Sequence, residues 1–521
     1  MQKEAKRIIT LILCLILILL IINSLSYNSN AIFNFFKKPV TKQINQISTQ
    51  QVTLNGKIIV EHADDFQNSK SINKYYLIKQ DNTKIELQGK VDPNLVNNQV
   101  NILGTFDNNK FTISSINPVS KETYPLPLGN QRWAVILVNF ADDRREFITK
   151  EHLQDDLLPE IKDFVRENSY NKLILDFDVY GWYHLNSNSV CGFNIGNILN
   201  DQPDQDINYR NYYGVVIIYP SPDCGFDGIN LGFSLHNTND GNVILGTIGM
   251  PSRAFRINDD YSQNVIEHEL GHIFSAYHSN FLNCLDKSIL EDVGYCNSEE
   301  YQDHFDVMGK GINLHYNGVW KEKFEWLNQN NIQTITSNGI YTITPLEMPN
   351  GIKILKIPRG RDRSTNEVFD NLYLEYRQPI GFDSGLLGDK VTKGILIHYS
   401  SVRANLVRSS LLIDITPTIP DSKLDPALLP GNVFIDTTAN VIIKVLSVNQ
   451  NSATVEIKFI CQDQTPFNQC SLNKPLYCSH SDITKTSNLI NKCSMCGCPN
   501  GFKCGNDGSC TSINPPPPII N

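Results

Sequence analysis

The pattern of apolar and polar positions changes period several times along the chain. Between about residues 51 and 119, short runs alternate apolar and polar residues and are separated by turn residues such as Asp81-Asn82. This pattern predicts five or so short strands, and so many short strands in one stretch favour a small β-barrel. Residues 27–50 ahead of them are rich in Asn, Ser and Gln, which is typical of a linker. We therefore predict a linker and a small β-barrel over residues 27–125.

A different pattern begins after Pro125. Residues 133–140 (WAVILVNF) are continuously apolar, as expected of a central strand that is covered on both faces. The elements that follow in the prediction are a helix at 149–168, with apolar residues at helical spacing, and strands at 173–179 and 214–219. Strand, helix, strand, strand is the start of an α/β sandwich, and we predict a separate domain over residues 126–330, with residues 243–248 as a candidate edge strand.

The last part of the chain returns to short alternating strands. Residues 331–460 fit a β-sandwich of about eight strands. Residues 461–521 form a Cys-rich module with a Pro-rich tail at 515–518 that cannot pack regularly. A pro-domain that blocks a metal with a thiolate would need a cysteine, and residues 27–125 contain none. If those residues keep an enzyme latent, they must do so by occlusion.

The N-terminus predicts entry into the secretory pathway. Lys3, Lys6 and Arg7 precede an apolar run over residues 8–22, which is typical of a signal sequence within residues 1–26. At about 1.5 Å per residue this run spans roughly 22 Å, less than a hydrocarbon core of about 30 Å. The short run favours a cleaved signal and a secreted protein. An uncleaved type II single-pass anchor at the cell surface is the alternative.

Cysteine usage agrees with an oxidising compartment. Of 13 cysteines, Cys14 lies in the apolar N-terminal run, and the other twelve form an even set. The predicted bridges are Cys191–Cys224, Cys284–Cys296 and four within residues 461–510, whose connectivity the sequence leaves open. The spacing of Cys493 and Cys496 also suits a zinc site, but eight cysteines in a secreted module favour a disulfide knot.

Composition limits the partners. The 521 residues include 41% hydrophobic and 19% charged residues, as in a folded protein of several domains. The net charge is −9, without a long basic run outside the N-terminus. Nucleic acid is therefore excluded as an expected partner.

The candidate chemistry lies in residues 265–278, which read VIEHELGHIFSAYH. His268 and His272 are four residues apart, so on a helix they share a face with about 5–6 Å between Cβ atoms. That spacing suits two imidazoles on one Zn²⁺ ion. Glu269 lies beside them, where it can take a proton from a zinc-activated water and pass it to the leaving amine.

His278 completes the predicted ligand set only if the helix ends early. In a continuous helix it would lie about 9 Å further along the axis and point away from His272. The three-histidine assignment therefore predicts that the helix stops near Phe274 and that the chain turns sharply at Ser275. A downstream carboxylate is the alternative third ligand, and the candidates are Glu291, Glu299 and Glu300.

These motifs resemble the metzincin clan of zinc peptidases. The segment HELGHIFSAYH is followed by DVMG at residues 306–309, as in H-E-x-x-H-x-x-G-x-x-H with a Met-turn. Over roughly residues 130–460, the chain is also similar to segments of the gametolysin family of cell-wall and matrix peptidases. The similar segments are WAVILVNFADD, SYNKLILDFDVYGWYHL and NLYLEYRQPIGFD. The resemblance implies Zn²⁺ on His268, His272 and His278, Glu269 as the catalytic base and Met308 as the Met-turn residue.

The chain departs from the family pattern at two positions. Where the family usually has a glycine at the turn, this chain has Ser275. Glycine allows a backbone conformation there that costs any other residue type about 1–2 kcal/mol. Two residues after Met308, where some metzincins carry a tyrosine ligand, the chain has Lys310, and Tyr316 is the next phenol.

The expected fold class is multidomain α+β. A metzincin-like zincin catalytic domain would be flanked by the small β-barrel, the β-sandwich and the disulfide-rich module. The expected function is a secreted or cell-surface zinc metalloendopeptidase that hydrolyses extracellular matrix or cell-wall proteins. The alternative is an inactive adhesion or binding protein that acts through its β-sandwich and Cys-rich module.

Overall fold

A computed structural model describes residues 51–513, apart from 108–109, 122–124, 193, 222–223, 285–288, 291–292, 362–367, 402–409, 417–421 and 481–486. The predicted signal or anchor segment, the linker and the Pro-rich tail lie outside the described residues. Within the described part of the chain, no helix combines the length and the apolar character needed to cross a membrane. From Val52 onward the described residues form one compact unit.

The fold is mostly β, with 44% strand and 19% helix, so the predicted α+β class is wrong. Ten strands form the first sheet, in the order β2-β3-β5-β4-β1-β9-β10-β8-β6-β7, and β1 also pairs with β2. These strands are β1 (Val52–Asp65), β2 (Lys70–Ile78), β3 (Lys84–Gln88), β4 (Asn98–Asp107), β5 (Lys110–Lys121), β6 (Gly129–Asn139), β7 (Leu173–His184), β8 (Gly214–Tyr219), β9 (Gly228–Thr238) and β10 (Gly241–Pro251).

The first five strands are not the separate small β-barrel that was predicted. Residues 62–64 of β1 pair antiparallel with residues 228–230 of β9, which joins these strands to the sheet of the following segment. Alternation along the chain reveals how many strands form, but not which distant strand each one pairs with. The predicted edge strand at 243–248 also proves internal, because β10 lies between β8 and β9.

Strand β6 is buried on both faces, as its continuous apolar run predicts. Trp133 and Val135 on one face pack in the cluster that contains the helices, while Ala134 and Ile136 pack in a second cluster behind the sheet. The helices are α1 (Lys150–His152), α2 (Leu158–Asn168), α3 (Asp259–Ile273), α4 (Gly318–Lys323) and α5 (Cys493–Cys496), with a π-helical turn between α1 and α2. Apolar residues of helix α3 pack in the same cluster as this face of β6.

Two further sheets form in the region where a sandwich of about eight strands was predicted. The seven-stranded sheet has the order β13-β11-β19-β18-β17-β16-β14, and the five-stranded sheet has the order β12-β20-β21-β22-β15. Their strands are β11 (Ser279–Asn283), β12 (Ile289–Leu290), β13 (Asn297–Glu299), β14 (Ile332–Thr334), β15 (Gly339–Ile343), β16 (Ile354–Arg361), β17 (Val368–Glu375), β18 (Leu396–Ser401), β19 (Ser410–Ile413), β20 (Val433–Asp436), β21 (Val441–Asn449) and β22 (Ser452–Phe459).

The seven-stranded sheet includes strands from before residue 331, which the sequence pattern did not reveal. Strand β11 pairs in parallel with β19, so Ser279 lies beside Ser410. The two sheets share one apolar cluster, to which Leu355 and Leu374 contribute from one sheet and Ile443 from the other. The segment that follows His278 is thus anchored in this sheet.

Six disulfides confirm the predicted use of the cysteines. Cys191–Cys224 and Cys284–Cys296 form as predicted, and the other bridges are Cys461–Cys478, Cys470–Cys496, Cys493–Cys504 and Cys498–Cys510. The last module adds two hairpins, β23 (Leu476–His480) with β24 (Ser487–Asn491) and β25 (Phe502–Cys504) with β26 (Cys510–Ser512). Such a disulfide density is typical of proteins that fold in the secretory pathway.

Candidate metal centre

Helix α3 begins with a well-formed cap. The side chain of Asn258 accepts a hydrogen bond from the backbone N–H of Tyr261 at 2.9 Å, and Asp259 and Asp260 occupy the first turn. Both features stabilise a helix N-terminus, by satisfying a free N–H and by opposing the helix dipole. The helix therefore begins at Asp259.

The helix ends where the third histidine requires it to end. Ser275 adopts the left-handed conformation with φ of 81°. The N–H of Ser275 donates to the carbonyl of His272 at 2.9 Å, and the N–H of Ala276 donates to that of Gly271 at 2.8 Å. This pair of bonds is the Schellman motif, which closes a helix and reverses the chain. The predicted turn at Ser275 therefore exists and returns His278 to the helix.

The three imidazoles point at one another through Nε2. His268 Nε2 and His272 Nε2 lie 3.1 Å apart, and the His278 ring lies 5.1–5.3 Å from the other two ring centres. Each Nδ1 meets an oxygen that can only accept, so the hydrogen of a neutral ring stands on Nδ1 and the Nε2 lone pair is free. The acceptors are Val307 O for His268 (2.8 Å), Ala276 O for His272 (3.0 Å) and Glu300 Oε1 for His278 (2.7 Å).

This arrangement fits zinc. Nitrogens at about 2.0–2.1 Å from a tetrahedral Zn²⁺ ion stand roughly 3.3 Å from one another, close to the separation of His268 and His272 Nε2. Imidazoles that donate Nδ1–H to fixed oxygens are also the usual form of zinc-binding histidines. The residues present thus supply three imidazoles whose Nε2 atoms lie around one point, with their orienting contacts in place.

Strand β1 adds two residues that the sequence analysis missed. Asp64 Oδ2 lies 3.3 Å from His272 Nε2, and Asp64 Oδ1 lies 3.2 Å from His278 Nε2. His62 Nε2 lies 2.8 Å from Asp64 Oδ1. One ligand atom from each of these four residues lies within 4.8 Å of the others. His62 and Asp64 share a face because alternate residues of a strand point the same way.

The electrostatics of the centre favour a cation. Burial alone would raise the pKa of Asp64, but His62 and His278 outweigh it and hold that pKa well below its usual range. Burial and the neighbouring His62 lower the pKa of His272 to about 4. Burial also opposes the charge of His278, but Asp64 and Glu300 outweigh it and raise its pKa to about 9. The two carboxylates thus draw positive charge to the point where the three Nε2 atoms meet.

Glu269 is completely buried beside the histidines. A Cβ atom on Gly228 would lie 2.1 Å from Glu269 Oε1, so the glycine of β9 makes room for this carboxylate. Burial and the nearby charge of Asp64 raise the pKa of Glu269. A buried carboxyl group with a raised pKa is suited to accept and return a proton.

Met308 packs against helix α3. A Cβ atom on Gly271, between the two helix histidines, would lie 2.3 Å from Met308 Sδ. Asp306 Oδ1 accepts from the backbone N–H of Met308 at 2.6 Å and shapes the turn. Tyr316 is packing rather than a ligand, because its hydroxyl donates to the carbonyl of Glu267 at 2.6 Å.

Glu300 and Tyr301, which precede the Met-turn in the sequence, complete the surroundings of His278. Glu300, an alternative third ligand, instead accepts from His278 Nδ1, while Glu299 pairs with Lys423 and Glu291 lies outside the described residues. The Tyr301 hydroxyl donates to Asp64 Oδ1, and its ring centre lies 3.9 Å from that of His278. The Met-turn spacing could not reveal Tyr301, because this tyrosine precedes Met308.

A cleft leads from the centre to solvent between β1 and the segment after α3. Its volume is about 920 Å³. His272, His278, Phe233 and Tyr277 line it on one side, and His62 lines it on the other. Asn230 and Gly232 of β9 also line the cleft.

Comparisons with known proteins give weak matches only. No family model matches the chain, and no curated protein matches it. Among solved structures, it is similar to "Structure of a chaperone-substrate complex" at 14% identity and a TM-score of 0.23, over 47% of this chain and 35% of that one. It is also similar to "Crystal Structure of metalloproteinase-II from Bacteroides fragilis" at 8% identity and a TM-score of 0.21, over 54% of this chain and 93% of that one. The chain thus spans about a third of the first of these structures.

Proposed function

We propose that this protein is a secreted or cell-surface zinc metalloendopeptidase of the gametolysin type. The observation that carries the proposal is that the Nε2 atoms of His268, His272 and His278 lie within 3.8 Å of one buried carboxylate, Asp64, and that Glu269 is buried beside these histidines. An adhesion protein has no need to orient three histidines by their Nδ1 atoms. His268, His272 and His278 are the proposed ligands, and Met308 is the apolar floor under the helix.

The chain's own residues divide the remaining work. Zinc, when bound, supplies Lewis-acid polarisation of the scissile carbonyl and lowers the pKa of a water. Glu269 takes a proton from the attacking water and gives it to the leaving amine nitrogen. The hydroxyl of Tyr301, which donates to Asp64 Oδ1, donates to the carbonyl oxygen of a substrate that replaces this carboxylate.

Strand β9 is the proposed binding edge for the substrate backbone. Its residues 228–230 already pair antiparallel with another strand. An extended peptide can take the same pairing, because main-chain hydrogen bonds hold any sequence. Extracellular matrix or cell-wall protein is the proposed substrate, on the strength of the family resemblance and of the six disulfides.

The test compares Glu269→Ala with the wild type, and with Glu151→Ala as a control for loss of an exposed carboxylate. Cleavage of casein is measured both in the natural sequence and in an Asp64→Ala background, because Asp64 lies where a substrate would enter. We expect one zinc per chain in every protein, and a loss of cleavage by about 10²–10⁴-fold with Glu269→Ala only.

Two results would reject this function. A wild type that holds no zinc would show that the three histidines do not form a zinc site. Full cleavage by Glu269→Ala would show that Glu269 is not the catalytic base. Bound zinc without cleavage in any background would favour the alternative of a binding protein.

A further inference from the structure

We infer that strand β1 is this enzyme's own inhibitor, and that Asp64 keeps the centre closed until β1 is released. The inference rests on the proposed function, because it assigns a regulator to the same metal site. Three independent features of β1 carry it: a carboxylate at the metal position, a strand in the substrate position and an ion pair that holds both in place.

The first feature is the position of the Asp64 carboxylate. Its two oxygens face different histidines, with 3.3 Å to His272 Nε2 and 3.2 Å to His278 Nε2, and its Oδ2 lies 3.8 Å from His268 Nε2. A carboxylate is a good zinc ligand, and a catalytic zinc needs one coordination position free for water or substrate. Asp64 stands at that position and also accepts the hydroxyl of Tyr301.

The second feature is the path of the strand. Residues 62–64 pair with residues 230–228 of β9, the edge proposed for the substrate backbone. Next along the chain, the Phe66 ring lies edge-on to His268, with ring centres 4.7 Å apart. A substrate cannot occupy β9 at the height of Glu269 while β1 is paired there.

The third feature is a buried ion pair immediately after Asp64. Arg253 Nη2 lies 2.7 Å from Asp65 Oδ1, and Arg253 Nε lies 3.1 Å from Asp227 Oδ1. Asp227 Oδ2 in turn accepts from the backbone N–H of Phe66 at 3.1 Å. The contacts of Asp65 and Phe66 hold the end of β1 against the start of β9 and would be lost when the strand leaves.

The first five strands can leave as a unit. They have their own apolar cluster, which includes Ile58, Leu77, Val100 and Phe111. Residues 51–125 contain no cysteine, so no disulfide ties them to the remainder. A single cut after β5 would therefore turn a covalently linked inhibitor into a dissociable one, and would remove the high effective concentration that a tether provides.

The experiment measures access to the metal in the full chain with Co²⁺ in place of zinc. Acetohydroxamate is the probe, because it binds a metal through two oxygens and is small enough to need only the place of the Asp64 carboxylate. Its binding is followed by the visible spectrum of the cobalt, in the wild type, in Asp64→Ala and in the control Asp107→Ala, which removes an exposed carboxylate from β4. Casein cleavage by the zinc forms is measured alongside.

We expect Asp64→Ala to bind acetohydroxamate at least about 10²-fold more tightly than the wild type and Asp107→Ala do. Casein cleavage should rise in the same variant. Asp64→Asn, which keeps the shape of the side chain and removes its charge, is the second variant and should shift binding in the same direction. It decides the question if Asp64→Ala does not fold.

Equal acetohydroxamate binding by the wild type and the folded Asp64 variants would overturn the inference. A chain whose natural form cleaves casein as fast as Asp64→Ala does, and that loses cleavage with Glu269→Ala, would overturn the inference and leave the proposed function standing. Failure of every variant to bind either metal would instead reject the proposed function.

Discussion

Helix α3 and strand β1 bring ionisable side chains to the same point from opposite sides. The helix histidines are oriented by backbone carbonyls: His272 by that of Ala276, just after the helix, and His268 by that of Val307, in the turn that carries Met308. Strand β1 is held at the centre by three residue pairs with β9, an ion pair with Arg253 and the hydroxyl of Tyr301. The comparison separates two sets of residues at the centre. The permanent set is His268, His272, His278 and Glu300, and the removable set is His62 and Asp64 on β1.

The largest effect expected beyond those already described comes from Glu300, which belongs to the permanent set. Glu300→Ala removes the acceptor that orients His278 Nδ1. Loss of such an orienting partner weakens zinc binding by about 10–100-fold. Zinc affinity, measured by competition with a chromogenic chelator, checks this value. Glu299→Ala is the control, since its carboxylate pairs with Lys423, and equal affinities in the two variants would contradict the role of Glu300.

A smaller effect is expected from the removable set. Arg253→Gln breaks the ion pair with Asp65 and should loosen β1, because losing one partner of a largely buried pair costs several kcal/mol. We expect casein cleavage by the full chain to rise by about tenfold, with zinc affinity unchanged. Arg256→Gln provides the matched control on the exposed side of the same turn. A fall in zinc affinity with Arg253→Gln would show that the two sets are not separable.

The smallest effect concerns the turn that joins the helix to His278. Ser275→Gly should stabilise the protein by about 1 kcal/mol, because a φ of 81° costs a residue with a Cβ atom about 1–2 kcal/mol, and glycine gives part of that back through its freer unfolded chain. The expected rise in Tm is about 2 °C. Ser275→Ala should show no rise, since alanine retains the Cβ atom. A lower Tm for the glycine variant would mean that Ser275 stabilises the turn by other contacts.

The sequence was most informative where the chemistry is local. His268, Glu269 and His272 lie within five residues on one helix, and the position of His278 required a turn that Ser275 forms. Asp64 is separated from His272 by about two hundred residues, and its pairing depends on β1 reaching β9. For the same reason, the number of N-terminal strands was predictable, whereas their inclusion in a ten-stranded sheet was not. The predicted α+β class was wrong because strands from distant segments join larger sheets.

The central claim is a zinc ion on three histidines, closed by Asp64. X-ray absorption at the zinc edge of the full chain tests it most directly. The account predicts one zinc per chain with three imidazole nitrogens at about 2.0–2.1 Å and one carboxylate oxygen at about 2.0–2.2 Å. In Asp64→Ala the three nitrogens should remain while the carboxylate contribution disappears. A chain without zinc, or zinc bound by sulfur, would contradict the account.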